Sequence, residues 1–492
     1  MIYWGFYRIL LFASNLIKFH STSEGQFVNC PYGPWIFKKV LLMGKFKIVK
    51  ISDFLISREE KYKPDDDRLK GLKRLDKINF NGNIYLSEKS TKTDMIIVYP
   101  GDLVISGINV QKGAIAVYEG KEPITATIHY SSYMFDPTKI DIEYLKRFLK
   151  SSEFIKTLNE QVKGGIKTEI KAKTFLPIEI RLPSLSEQKK INKYFDSFDQ
   201  ELTELKSELK NQANIITQLK QSILQEAISG QLTAEWRSHH PIKKGDPNFD
   251  AKALLAKIKA EKEVLMAEGK LKKEKPLPEI LPDDIPFDLP KSWVWCRLGK
   301  IIFDTEAGKS PKCLNESVNN KEWGVIKTTA VQDLSFLEAE NKILPQDFNV
   351  NPIHIVRKND LLITRAGPVN RVGIACCVKE ITKNLILSDK TVRIKYVKNL
   401  INPQYLAISL NSKDIKKLLK SKMTGMADSQ VNITQENIKA TFIPLPPLAE
   451  QKIIVEKVDH IMKIIDQLEE QIKHRQKLAE DLMQTVLQEA FE

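Results

Sequence analysis

The sequence is poor in the residues that form metal centres. Its 492 residues include five cysteines, an odd number with no C-x-x-C spacing, and seven histidines that follow no ligand spacing. This pattern argues against a zinc site and indicates free thiols in a reducing cytoplasm. Cys376 and Cys377 lie in the apolar run "VGIACCV", which is typical of a buried strand.

The N-terminal region lacks an uninterrupted apolar run. Arg8, Asn15 and Lys18 break "MIYWGFYRILLFASNLIKFH" before it reaches the length of a membrane span. No clean small-residue cleavage site follows it, as a signal peptide would require. Met43 then opens "MGKFKIVKISDFL", which predicts the first strand of a domain. We predict that residues 1–42 are an N-terminal extension or a misassigned start, with a targeting segment as the alternative.

Several sequence segments resemble parts of catalytic motifs, but none of these motifs is complete. "GKS" at Gly308–Ser310 follows an apolar run, but Phe303 occupies the position of the first glycine of a phosphate loop. "NPQY" at Asn402–Tyr405 lacks the second proline of the N-P-P-[YF] motif of adenine methyltransferases. Pro64-Asp65 and Pro282-Asp283 have no nearby E-x-K partner that would complete a nuclease carboxylate cluster. The sequence therefore predicts a binding protein and not an enzyme.

Positively charged residues are in excess. The formal net charge is +14 and the pI is near 9.2, although 42% hydrophobic and 28% charged residues are ordinary for a globular protein. A basic balance favours a polyanionic partner, with nucleic acid ahead of an acidic membrane surface. The length allows roughly two to four domains, each able to bury its own core.

One unusual phrase occurs twice. "LPSLSEQKKI" at Leu182–Ile191 reappears as "LPPLAEQKII" at Leu445–Ile454, and the two copies align without a gap as far as Ala227 and Ala490. Each copy then carries apolar residues at alternating steps of four and three, interrupted at the matching place by Gln212 and Arg475. The spacing predicts two long helices that pack on each other as an antiparallel coiled coil. The alternative is that each helix packs only on its own domain.

The duplication extends upstream of the helices. Three segments of the first half match three of the second: Pro100–Gly120 with Lys358–Glu380, Ile140–Ser151 with Ile401–Ser412, and Lys173–Pro183 with Ala440–Pro447. Between the halves, seven prolines from Pro241 to Pro290 predict an extended connector, within which one exposed helix is expected from near Asn248 to Gly269. The predicted fold class is α+β, with two globular domains in tandem duplication separated by the two helices. The predicted boundaries are 1–42 for the extension, 43–186 for domain 1, 187–230 for helix 1, 231–290 for the connector, 291–449 for domain 2 and 450–492 for helix 2.

Two further segments are distinctive, "QLTAEWR" (Gln231–Arg237) and "IPFDLPKSWVWCRLGKI" (Ile285–Ile301). Together with the two copies of the repeated phrase, they make the chain resemble the specificity subunits of type I restriction–modification enzymes from about Met43 to Glu492. The resemblance implies two target-recognition domains, each of which reads one half of a bipartite, asymmetric sequence in double-stranded DNA. It implies helices that set the spacing and dock two methyltransferase subunits, with translocase–nuclease subunits joining that core. S-adenosylmethionine, ATP and Mg²⁺ would be used by the partner subunits, and no cofactor would be bound by this chain.

The residues that touch DNA must be nominated from local chemistry. Arg, Lys, Asn and Gln on loops are the side chains best suited to enter a groove and read base edges. Loops at equivalent places in both halves offer such residues, each of which is otherwise an ordinary solvated charge. The candidates are Asn109, Gln111, Lys112, Lys163 and Lys167 in domain 1, and Lys309, Ser310, Lys312, Arg365, Asn370, Arg371, Lys422 and Gln430 in domain 2.

Two other classes of protein remain open from the sequence. A self-contained nuclease or methyltransferase would act on DNA with Mg²⁺ and S-adenosylmethionine, and the incomplete motifs argue against it. A structural coiled-coil protein would show no preference among duplex sequences.

Overall fold

The computed structural model describes residues 46–491, apart from 59, 81, 110–113, 150, 163–170, 273–275, 314, 320 and 321. The chain divides into two compact units. Unit 1 comprises the residues up to Glu208 and those from Arg475 onward, and unit 2 comprises Leu209–His474. The predicted extension, residues 1–42, lies outside the described part. None of the helices in that part has the length and apolarity that a membrane span requires.

Unit 1 is built on two four-stranded sheets. The strands are β1 (Lys47–Lys50), β2 (Leu55–Ser57), β3 (Arg74–Ile78), β4 (Ile84–Ser87), β5 (Met95–Val98), β6 (Leu103–Ser106), β7 (Ile115–Val117), β8 (Ile124–Thr127), β9 (Tyr130–Phe135) and β10 (Glu179–Leu182). The central sheet has the order β2-β9-β6-β7, the second sheet has the order β4-β3-β8-β5, and β1 pairs antiparallel with β10. The helices are α1 (Ile142–Phe148), α2 (Ser152–Gln161), α3 (Ala172–Phe175) and the long α4 (Leu185–Ser229), which continues into unit 2.

Unit 2 repeats the central sheet and the terminal strand pair of unit 1. Its strands are β11 (Val294–Arg297), β12 (Ile302–Ala307), β13 (Trp323–Ile326), β14 (Val331–Gln332), β15 (Ser335–Phe336), β16 (Asn341–Ile343), β17 (Leu361–Thr364), β18 (Ala366–Gly367), β19 (Ala375–Cys377), β20 (Asn384–Ile386), β21 (Thr391–Tyr396), β22 (Thr424–Ala427), β23 (Gln430–Asn432) and β24 (Phe442–Leu445). The central sheet has the order β12-β21-β17-β19, β11 pairs antiparallel with β24, and a second sheet has three strands in the order β16-β13-β20. The helices of unit 2 are α5 (Ala234–His239), α6 (Ala251–Ala267), α7 (Leu298–Ile301), α8 (Pro403–Asn411), α9 (Lys413–Lys420), α10 (Gln435–Ala440) and the long α11 (Leu448–Phe491), which ends in unit 1.

The central strand of each unit is buried on both faces. In β6, Leu103 and Ile105 pack into the cluster formed with α1–α3, whereas Val104 packs into the cluster formed with the second sheet. In β17, Leu361 and Leu362 divide between two clusters in the same way. Because successive side chains of a strand point to opposite faces, a continuous apolar run is what a strand between two layers requires.

The turn before each central strand is also the same. Gly101 and Asn359 both adopt a left-handed backbone, with φ of 88° and 67°. The following aspartate then accepts a hydrogen bond from the backbone N–H three residues earlier, in Asp102 at 3.0 Å and in Asp360 at 2.7 Å. Glycine and asparagine are the residues that tolerate this conformation, which explains "PGD" and "KND". The predicted α+β tandem duplication is confirmed.

The glutamine of the repeated phrase performs one task in both units. Gln188 Oε1 accepts from the Asp141 backbone N–H at 2.7 Å, and Gln451 Oε1 accepts from the Asn402 N–H at 2.9 Å. Both glutamines are fully buried, and Asp141 and Asn402 cap the helices that follow them. A buried amide with satisfied partners ties the start of each long helix to its domain. This shared hydrogen bond explains why both copies of the phrase contain glutamine at this position.

The long helices bury the predicted seam. One set of seam positions, seven residues apart, is buried in each helix, and the alternate set is half-buried. The buried set is Phe195, Leu202, Leu209, Ile216 and Ile223 in α4, and Val458, Ile465, Ile472 and Ala479 in α11. The half-buried set is Phe198, Leu205, Gln212 and Leu219 in α4, and Ile461, Leu468, Arg475 and Leu482 in α11. The two interrupting polar residues thus occupy equivalent half-buried places.

The helices run antiparallel where both belong to unit 2. The Lys220 ammonium forms ion pairs with Asp466 and Glu469, each at 3.0 Å. Twelve residues further along the chain, the carbonyl of Leu232 accepts from Lys457 Nζ at 3.1 Å. Leu232 lies just beyond the end of α4, and the contact on α11 has moved back toward its beginning, so the two helices run antiparallel.

Replacing Ile465 by Asp is expected to destabilise unit 2 by several kcal/mol, because a carboxylate would have no solvent on this seam. Ile465 is 2% exposed, whereas its neighbour Ile464 is 47% exposed and provides a matched control. Thermal unfolding followed by circular dichroism should show a lower midpoint for Ile465→Asp and the parental midpoint for Ile464→Asp. Equal midpoints for both variants would contradict the packing described here.

The expectation of an exposed helix in the connector is wrong, because α6 buries one face in unit 2. Ala251, Leu254, Ile258 and Lys262 form a buried stripe at helical spacing. The Lys262 ammonium donates to the carbonyls of Gly299 and Ile302, each at 2.8 Å. Because Lys262 is charged, the sequence did not show this stripe as a continuous apolar face. In the structure, backbone carbonyls at the end of α7 accept hydrogen bonds from the Lys262 ammonium.

Candidate nucleic-acid interface

Four segments of unit 2 meet at one end of its central sheet. Backbone hydrogen bonds join Lys309 to Leu387 at 3.2 Å and Arg365 to Lys390 at 2.9 Å. Two more bonds join Val369 to Asp428 and Ile433 to Arg365, each at 2.8 Å. We define the unit 2 edge as residues 308–312, 365–371, 387–390 and 424–433.

Gly308 lets two of these segments approach closely. A Cβ atom at this position would lie 1.8 Å from the carbonyl oxygen of Leu387, so no larger residue fits. The glycine of "GKS" is therefore explained by the close approach of its backbone to that of Leu387. Ser310 extends the same contact, because its hydroxyl donates to the Asp389 carboxylate.

Most of the unit 2 candidates come together at this edge. Arg365 is half-buried there, and within the described residues its Nε is buried without a hydrogen-bond partner. The exposed candidates that share the edge are Lys309, Ser310, Lys312, Asn370 and Gln430. The edge therefore presents positive charge and hydrogen-bond donors, as contacts to phosphates and base edges require.

Arg371 is a structural residue. Its guanidinium donates to the carbonyls of Thr328 and Val331 at 2.8 and 2.6 Å and to Gln332 Oε1 at 3.1 Å. With both Nη groups engaged in this way, it holds the 328–332 segment against the loop that carries Arg365. Its nomination as a base-reading residue is therefore not supported by the geometry.

Lys422 is also turned inward. Its ammonium donates to the Ala440 carbonyl at 3.3 Å and is half-buried. Burial, together with the nearby Arg297, lowers the pKa of Lys422. A lysine held in this way is a poor contact for a phosphate on the surface.

One exposed cation at the unit 2 edge was missed. Lys390 precedes β21 in the turn that is hydrogen-bonded to Arg365. In the sequence it stands alone between an aspartate and an apolar strand, so no basic or glycine-containing loop marked it. Only the pairing of β17 with β21 brings it beside Arg365.

Unit 1 has an equivalent edge. The Gly107 N–H donates to the His129 carbonyl at 2.8 Å, at the same place relative to the central ladder as the bond from Arg365 to Lys390. Asn109 closes the turn, since its N–H donates to the Ser106 carbonyl at 3.2 Å. We define the unit 1 edge as residues 106–109 together with 128 and 129. The candidates Gln111, Lys112, Lys163 and Lys167 lie outside the described residues.

The aspartates before the two central strands, at the end opposite to the edges, are structural. Asp102 accepts from Arg58 Nε at 2.6 Å and from Ser132 at 2.8 Å, and Asp360 forms an ion pair with Arg393 at 2.8 Å. Burial raises the pKa of Asp360, and Arg393 opposes this shift. Both carboxylates are engaged inside the domain and so hold the turn before the central strand.

"QLTAEWR" forms a buried joint in unit 2. Glu450 is fully buried, and its carboxylate accepts from Thr233 at 2.6 Å, Arg237 at 2.5 Å and Trp293 Nε1 at 2.7 Å. Arg237 also donates to the Gly230 carbonyl at 2.5 Å. The joint thus connects the end of α4, the beginning of α11 and the first strand of the second domain. We call these four side chains the Glu450 joint.

Among the described residues, no group of three or more His, Cys, Asp or Glu side chains is arranged to hold a metal ion. The four described cysteines, Cys296, Cys313, Cys376 and Cys377, are free thiols. Burial raises the pKa of the Cys296 thiol to about 12.

Comparison with known proteins identifies a family for most of the chain. A model of the type I restriction modification DNA specificity domain matches residues 43–214 and 290–475. The chain is 41% identical over 263 residues to the type I restriction enzyme EcoEI specificity subunit of Escherichia coli, across 53% of this chain and 43% of that protein. It is 29% identical over 261 residues to the EcoAI specificity subunit of the same species, across 52% of this chain and 41% of that protein. These alignments therefore span less than half the length of either relative.

A solved structure shares the fold. A chain from work on complex assembly and conformational transition of the type I R-M system superposes with a TM-score of 0.54 at 17% identity. The match covers 92% of this chain and 98% of that chain.

Proposed function

Because this chain belongs to the type I restriction–modification DNA specificity family, we propose that it is the sequence-specific DNA-binding subunit of a type I restriction–modification complex. Each unit would read one half of a bipartite, asymmetric target in double-stranded DNA. The two long helices would set the distance between the half-sites.

The observation that carries this proposal is the pair of equivalent edges with different chemistry. The same loop-to-turn hydrogen bond occurs in both units, but it joins Arg365 to Lys390 in unit 2 and Gly107 to His129 in unit 1. Interior positions keep their residue type, as Gln188 and Gln451 do. Two scaffolds that share a central sheet but differ in their edge residues suit two different half-sites, since base edges are distinguished by the side chains presented to them.

The chemistry of the complex would belong to partner subunits. We assign DNA methylation, with S-adenosylmethionine, to two methyltransferase subunits, and translocation and cleavage, with ATP and Mg²⁺, to translocase–nuclease subunits. This chain would supply recognition and assembly. Its free thiols suit the reducing cytoplasm in which such a complex would act.

The long helices offer equivalent positions for the methyltransferase subunits. Ile215 in α4 and Leu478 in α11 occupy matching places in the repeat and are 49% and 43% exposed. Burying an exposed apolar side chain against a partner is favourable, so each of these positions could anchor a protein contact. Because the repeat provides this position twice, it suits two copies of one partner.

Selection of preferred sites from random duplexes tests the proposal, using the chain with its methyltransferase partner. Arg365→Ala is expected to relax preference at one or two base pairs on one side of the gap, by roughly five- to a hundredfold each. Lys398→Ala is the matched control, because Lys398 is an exposed lysine beyond the other end of β21. It should leave both half-sites unchanged.

Three results would count against this reading. A parent chain that enriches no sequence favours the alternative of a structural coiled-coil protein. Equal weakening of all sequences by Arg365→Ala would restrict that side chain to phosphate contact. Altered preference on both sides of the gap would contradict the assignment of one half-site to each unit.

A further inference from the structure

Two isoleucines are exposed at the unit 1 edge. Ile108 is 51% exposed and Ile128 is 36% exposed. Ile108 lies in the turn from Ser106 to Asn109, and Ile128 immediately precedes His129. Since the Gly107 N–H donates to the His129 carbonyl at 2.8 Å, the two turns that carry these isoleucines lie side by side.

Backbone hydrogen bonds shape both turns. The Ile128 N–H donates to the Asp94 carbonyl at 3.0 Å, and the Asn109 N–H closes the other turn at 3.2 Å. The polar residues next to the isoleucines, Asn109 and His129, belong to the same edge. Two exposed apolar side chains are therefore presented on neighbouring turns, next to groups able to form hydrogen bonds.

The equivalent positions of unit 2 carry no large apolar side chain. Continuing the central ladder of each unit places Ala366 and Asp389 where unit 1 has Ile108 and Ile128. The unit 2 edge offers the cations of Arg365 and Lys390 instead. Cationic donors are suited to the O6 and N7 acceptors of guanine, whereas an aliphatic side chain has only one apolar partner among the major-groove base edges, the 5-methyl group of thymine.

We propose that Ile108 and Ile128 are specificity-determining residues that contact a thymine 5-methyl group in the half-site read by unit 1. The proposal rests on the proposed function and adds to it the chemical class of base that this unit selects. The isoleucines would exclude water from the methyl group. The neighbouring polar groups would contact the rest of the base pair or the backbone.

Deoxyuridine provides the test, because it differs from thymidine only by lacking this methyl group. The parent chain with its methyltransferase partner is first given its selected duplex, and each thymine is then replaced in turn by uracil. At one thymine of the unit 1 half-site we expect affinity to fall about three- to fivefold, the value for losing one buried methyl-sized group. The Ile108→Ala/Ile128→Ala variant should bind the thymine and uracil duplexes equally.

Two controls separate this contact from general effects. Ile48→Ala removes an isoleucine of unit 1 that is 73% exposed in β1, and it should keep the parental discrimination between thymine and uracil. Uracil substitutions in the other half-site should affect the double alanine variant and the parent alike. A thermal melt of each variant confirms that the chain is folded.

Every result bears on the proposal. If the parent selects a sequence but tolerates uracil at all thymines of the unit 1 half-site, the thymine contact is overturned while the proposed function stands. If the double alanine variant still discriminates as the parent does, the assignment to these isoleucines is overturned. If the parent selects no sequence, the proposed function fails, and this inference fails with it.

Discussion

Raising the salt concentration from about 50 to about 200 mM is expected to weaken duplex DNA binding roughly 10³- to 10⁵-fold. The reason is the release of counterions from DNA when basic side chains neutralise phosphates. The chain has a formal net charge of +14. The unit 2 edge alone exposes Lys309, Lys312 and Lys390. About six to ten phosphate contacts would give a slope of about −5 to −9 in a plot of log K against log salt concentration.

The same titration can be made specific to the unit 2 edge. The Lys309→Ala/Lys312→Ala variant should reduce the magnitude of the slope by roughly 2, close to one for each phosphate contact removed. Lys270→Ala/Lys398→Ala removes two exposed lysines outside that edge and should leave the slope unchanged. A flat plot for the parent would exclude phosphate contacts as the main source of affinity. Identical slopes for the parent and the first variant would place those two lysines away from DNA.

Arg237→Ala should destabilise unit 2 by about 3–5 kcal/mol, because it leaves a buried carboxylate without its cation. Glu450 is fully buried, and Arg237 approaches it to 2.5 Å. Thr233 and Trp293 would still donate to the carboxylate, but neither carries a charge. Urea unfolding followed by tryptophan fluorescence measures this loss, since the described tryptophans all lie in unit 2.

The first copy of the repeated phrase provides the matched control. Glu187 is the counterpart of Glu450, but it is not buried and accepts from the Ser184 hydroxyl and N–H in a helix cap. Glu187 lies in unit 1 and Glu187→Ala removes only a helix cap, so this variant should leave the tryptophan-reported urea midpoint of unit 2 close to the parental value. If Arg237→Ala and Glu187→Ala shifted the urea midpoint equally, the Glu450 joint would not be the buried ion pair described here.

Features that depend on short-range periodicity could be predicted from the sequence. The seven-residue spacing from Phe195 to Ile223 required a buried seam, and the apolar runs of β6 and β17 required strands covered on both faces. Repetition of whole phrases indicated a tandem α+β fold, since identical local patterns form identical local structures. Nothing in the periodicity showed that Gln188 and Gln451 bind the capping residues of neighbouring helices, although their recurrence marked them as structural.

The partners of charged side chains were decided by the tertiary structure alone. Arg365 and Arg371 stand in one loop and look alike in the sequence, yet the 328–332 segment engages only the second guanidinium. Lys390 joins the unit 2 edge because β17 pairs with β21, and Lys262 is buried because the carbonyls of Gly299 and Ile302 accept its hydrogen bonds. The physical reason is common to all four residues. Apolar burial follows from local spacing along the chain, whereas a long cationic side chain is bound or left free according to which oxygens the folded chain brings within about 3 Å of it.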